Sequence, residues 1–174
     1  MTDEQARIRS YLEAQAAKLT PAAIVDKVRA AMADLRTAAE AVPAARFCER
    51  PSADEWSANE VMAHVVAAGA YYGAGITNAL AQAPPPPKMK DQGAVGAPPR
   101  TAAEWSALLA RDREALFKCA LGADPLARLE RSIEHGMFGP LNWRETLLFM
   151  RLHDLDHAGQ LQKIAAALAG ARSA

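Results

Sequence analysis

Four histidines occur in this 174-residue chain, and two of them, His153 and His157, lie four apart in Arg151-Leu-His-Asp-Leu-Asp-His157. On a helix this is about one turn, so both imidazoles leave the same side and can meet one cation. They also continue an apolar stripe, because Met150, His153, His157, Leu161 and Ile164 follow one another at helical spacing. A third imidazole, His64, sits among Val61, Val65 and Ala68 on another amphipathic segment. Three neutral imidazoles on facing helices suit a divalent ion and leave coordination positions for water or substrate, as in catalytic sites. Metal ligation by all three is the expectation. The alternative is three core-edge histidines satisfied by backbone carbonyls.

Ligating imidazoles need a partner for the second ring N–H. Asp154, Asp156 and Gln160 lie within a turn of the pair, Asp156 three residues from His153 and Asp154 three from His157. Either acid can fix a tautomer, and solvated helix-face acids are the other reading. His135, in Glu134-His-Gly-Met-Phe-Gly-Pro140, falls in a glycine-punctuated loop, where it is read as exposed, with a pocket rim as the alternative. Tyr71, Tyr72, Trp143 and Met150 can line a pocket but are first read as packing. Cys48 and Cys119 are far apart and outside any Cys-x-x-Cys pattern, which predicts two unpaired, mostly buried thiols. No phosphate loop, dinucleotide fingerprint, nucleophile elbow or basic aromatic patch is present.

The elements that must carry these residues announce themselves by their starts, a capping residue followed three positions later by Glu or Gln. Thr2-x-x-Gln5 opens a short polar helix to about Lys18, and Thr20-Pro21 opens a helix to about Ala41 that Pro43 ends. Ser57-x-x-Glu60 starts a helix to about Gln82, Thr101-x-x-Glu104 one to about Leu121, and Asn142-x-x-Glu145 one to about Ala169, with Gly170 as its stop. Strand-like alternation is nowhere convincing, so the fold class is all-α. Between the second and third long helices runs Ala83-Pro84-Pro85-Pro86-Pro87 to Pro98-Pro99-Arg100. This connector cannot be helical, and its roughly 18 residues at about 3.1 Å each can return along a helix of about 37 Å. The third long helix can then lie parallel to the second, in an up-down-down-up four-helix bundle with a short extra N-terminal helix. A flexible lid or a tolerated insertion is the alternative for the connector.

The length suits one domain over 1–174, with a bundle core at about 20–170. Hydrophobic residues at 51% and charged residues at 23% argue against disorder. Twenty basic residues balance twenty acidic ones, so no field gathers nucleic acid or anionic lipid, and a small neutral ligand or a protein is the expected partner. The polar start and the lack of a roughly 20-residue apolar run predict a cytoplasmic chain without a membrane segment.

Two blocks extend this reading. Trp56-Ser-Ala-Asn-Glu-Val-Met-Ala-His64 resembles the Trp-Ser-x-x-Glu-x-x-x-His block of the DinB-like (DinB/YfiT-like) metalloenzymes. Residues 139–160, closing with His153-Asp-x-x-His157-x-x-Gln160, resemble that family's final block. With the connector, the likeness covers roughly residues 20–170. It implies an up-down-down-up bundle, often a homodimer, with zinc or nickel on His64, His153 and His157. It also implies enzymes that use a low-molecular-weight thiol, either isomerases or transferases joining the thiol to an electrophile. The expected function is thus a metal-dependent thiol transferase. The same ion would also serve a hydrolase, and a non-catalytic metal- or ligand-binding stress-response bundle and a metal-free bundle are the rivals.

Overall fold

The computed structural model describes residues 2–88 and 96–170. Its elements are α1 (Asp3–Lys18), α2 (Pro21–Glu40), a 3-10 turn at Ala44–Arg46, α3 (Ala58–Leu80), α4 (Ala102–Gly122), β1 (Ile133–His135), β2 (Gly139–Leu141) and α5 (Trp143–Gly170). Among the described residues the molecule is therefore mostly helical, with one very small two-stranded sheet.

Each helix begins where its capping residue predicts. Thr2, Ser57 and Thr101 accept from the N–H three residues on, and Gln5, Glu60 and Glu104 reach back to the cap's own N–H. Thr20 accepts from the Ala23 N–H ahead of Pro21. Asn142 accepts from the Arg144 and Glu145 N–H groups, and the Glu145 carboxylate takes the Asn142 N–H at 2.9 Å. These partners satisfy donors that the first helical turn would otherwise leave unpaired.

Helices α2 to α5 pack along four seams, α2 with α4 and α5, and α3 with α4 and α5, while α1 lies on α5. Two apolar clusters fill the interior. One joins Ile24 and Val28 of α2, Ile76 of α3, Phe117 of α4 and Leu147 of α5, with Leu12, Ile133 and Phe138. The other joins Leu35 of α2, Val61 and Val65 of α3, Leu109 of α4 and Leu161 of α5, with Phe47 from the loop after α2.

The antiparallel sheet pairs Ile133 with Leu141, Glu134 with Pro140 and His135 with Gly139. Three-residue strands are too short for alternation to stand out, which is why they were not expected. Gly139 takes φ +70° at the turn, where a side chain would be strained.

The connector is tied at both ends to α3. The Asn78 amide donates to the Pro84 carbonyl and Arg131 to the Ala83 carbonyl, near the end of the helix. At its start, Asn59 accepts from the Arg100 N–H at 3.0 Å and from the Trp105 indole at 2.8 Å. The described ends of the connector thus meet opposite ends of α3. Residues 89–95 of the expected polyproline-like stretch lie outside the described residues. The two thiols are less buried than expected: Cys48 is exposed and Cys119 half-buried.

Candidate metal centre

His64 sits in the second turn of α3, where Val61, Val65 and Ala68 turn that face inward. His153 and His157 face it from the middle of α5. The site falls on the seam between the two apolar clusters, with Phe149 and Met150 on one side and Ala158 and Leu161 on the other.

The three rings converge. Centroids are 5.1 Å apart for His64 and His153, 4.9 Å for His64 and His157, and 4.4 Å for His153 and His157. One nitrogen from each lies within 4.8 Å of the other two, and the Nε2 atoms of His64 and His153 approach to 3.1 Å. Tetrahedral zinc with bonds of about 2.0–2.1 Å spaces its ligand atoms about 3.3 Å apart, so this separation fits two nitrogens on one ion. The donor set therefore suits a divalent transition metal.

Protonation agrees with that use. The His157 Nδ1 meets Gln160 Oε1 at 2.8 Å, an amide oxygen that only accepts, so Nδ1 carries the proton and Nε2 the lone pair. Burial pushes the His157 imidazole down to about 4, with the neighbouring His153 adding to the effect, so it is neutral at pH 7. Trp56 leans over His64, ring centroids 5.3 Å apart.

Of the two acids flagged beside the pair, Asp154 is fully buried and bonded to Arg113 of α4 at 3.0 Å, with an oxygen 3.9 Å from His153 Nδ1. Asp156 faces solvent. Arg113 was not singled out from sequence, although a signal existed: it stands four after Leu109 and three before Leu116, a charge on the apolar stripe. His135 differs from its expectation. It is only 6% exposed, stacked between Tyr72 and Phe138, and its Nδ1 accepts from the Met137 and Phe138 N–H groups. Burial pushes it down to about 4. Trp143 and Met150 are core, as expected.

A cavity of about 340 Å³ is lined by Asp54, Glu55, Trp56, Gln160, Lys163 and Ile164, of which Trp56 meets the His64 ring and Gln160 the His157 Nδ1. Larger clefts of about 460 Å³ occur at the α2–α4 groove and around Phe47 and Arg100, and the imidazoles line none of the three. The chemistry rather than the size marks the site.

A mostly helical chain that gathers three imidazoles from two helices defines a class of histidine-centred helical proteins. The family profile of the DinB superfamily matches residues 27–161, and the chain belongs to that superfamily. The matched span contains His64, His153 and His157. Neither the curated proteins nor the solved structures gave a match. Among the described residues, no helix is long and apolar enough to cross a membrane.

Proposed function

We propose that this chain is a divalent-metal enzyme, a low-molecular-weight-thiol-dependent transferase, with His64, His153 and His157 holding zinc or nickel. The observation that carries the reading is the convergence of three imidazole nitrogens, from two helices, within 4.8 Å of one another. Three such ligands leave room for an exogenous one. A bound ion supplies a lowered pKa to a coordinated thiol or water, and so a nucleophile at neutral pH.

The chain's own residues do the rest. Gln160 accepts the Nδ1–H of His157 and turns its Nε2 inward. Trp56 lies against the His64 ring, and the cavity it shares with Gln160 has room for a small molecule. The neutral charge balance favours such a substrate over nucleic acid or membrane. We also infer an up-down-down-up four-helix bundle acting as a cytoplasmic homodimer. In support of that topology, the first halves of α2 and α5 share an apolar cluster with the second halves of α3 and α4.

The test is elemental analysis after chelator-free purification, followed by incubation with a cellular thiol and a chloro-dinitroarene. About one equivalent of metal and a metal-dependent conjugation abolished in His153→Ala are expected. Bound metal without conjugation to any cellular thiol would leave a hydrolase or a non-catalytic metal protein. Less than about a tenth of an equivalent, with a melting temperature unmoved by zinc or nickel, would sink the metal reading.

A further inference from the structure

Behind His153 lies a charged pair that packing does not explain. Arg113 is 2% exposed and Asp154 fully buried. The guanidinium Nη2 reaches the two carboxylate oxygens at 3.0 and 3.4 Å. Its Nε and Nη1 are buried and have no hydrogen-bond partner among the described residues. The guanidinium lies flat against α3 at Gly69, where an added Cβ would stand 3.5 Å from Nε and Nη2. Three helices thus meet one layer beneath the histidines.

As a contribution to folding this arrangement is poor. Buried ion pairs are often replaced by apolar residues of similar volume with no loss of stability, and orphaned donors add desolvation cost. The arrangement does have an effect on its neighbour. Asp154 Oδ1 lies 3.9 Å from His153 Nδ1, beyond hydrogen-bond length but close enough for the carboxylate's charge to favour the Nδ1–H tautomer, which leaves Nε2 for the side where His64 stands.

We propose that Arg113, acting through Asp154, is a positioning residue of the three-histidine centre: it anchors the carboxylate that orients His153 with Nε2 toward the ion. This rests on the metal reading above. It assigns α4 a part in a centre whose ligands all come from α3 and α5.

The experiment compares the full-length chain with Arg113→Met/Asp154→Leu, Arg113→Lys and Asp154→Asn. Zinc affinity is measured by chelator competition, the visible spectrum of the cobalt(II) form is recorded, and metal-free melting is followed alongside. The apolar double variant should melt near the wild-type temperature yet bind zinc about 10–100-fold more weakly, with an altered cobalt spectrum. Arg113→Lys should recover part of the affinity. Should the double variant not fold, Asp154→Asn, which keeps the side-chain shape, is read alone and should weaken zinc at least tenfold. Wild-type affinity and spectrum in a folded variant would overturn the proposal while leaving the metal reading intact. A wild-type chain that binds neither metal would overturn both.

Discussion

His135 and His157 are both imidazoles held near pKa 4, against 6.5 for the free side chain, chiefly because burial penalises the charged form. Between those values the folded chain binds fewer protons than the unfolded one, so stability falls as pH drops from about 6.5 toward 4. Each contributes on the order of 1–3 kcal/mol across that window. His135→Asn separates the two, because an amide oxygen can still accept from the Met137 and Phe138 N–H groups but cannot titrate in this range. Melting temperature of the metal-free protein against pH should be shallower for this variant below pH 6.5. Parallel curves would show that the His135 imidazole is not held neutral by its aromatic cage. Protons also compete with a metal ion for imidazole ligands, so release of the ion on acidification is expected to be steeper than loss of fold.

The elements are set by short polar signals, and one of them does more than start a helix. Asn59, in the first turn of α3, is 4% exposed and accepts from both the Arg100 N–H and the Trp105 indole. It thereby ties the end of the connector and the first turn of α4 to the helix that carries His64. Asn59→Ala leaves the Trp105 N–H buried without its partner, at a cost of about 1–3 kcal/mol. Urea denaturation should show that loss, with metal stoichiometry retained because the histidines are not touched. A change below about 0.5 kcal/mol would mean that the connector is held elsewhere. The capping boxes that open α1, α3 and α4 were readable because each is closed within four residues. The hairpin was not, since its strands exist only by pairing with each other and by laying Ile133 and Leu141 into the core.

At the scale of the molecule, the proposed ion bridges α3 and α5, whose ligands His64 and His153 are 89 residues apart. A ligand that binds only the folded chain stabilises it by mass action, about 2.7 kcal/mol at a hundredfold excess over Kd. For a chain of this length that corresponds to about 5–10 °C in melting temperature. The shift should appear on adding zinc to metal-free wild type and vanish in His64→Ala, where one helix loses its hold on the ion. An equal shift in that variant would place metal binding on other groups.

The amino-acid sequence alone determined the helices and their starts, the pairing of His153 with His157 on one helix face, the inward turn of His64 and membership of the DinB superfamily. All of these rest on spacing within a turn or two, or on motifs read in order. Only the tertiary structure decided that His64 meets the pair, that His135 is caged by Tyr72, Phe138 and Phe149, and that Arg113 lies beneath Asp154. From sequence, Asp154 stands between a tautomer-fixing and a solvated acid, and Arg113 stands out only as a charge spaced among apolar residues. Which charge would meet which depends on the register between α4 and α5, set by the shapes of side chains along the whole seam rather than by any local pattern.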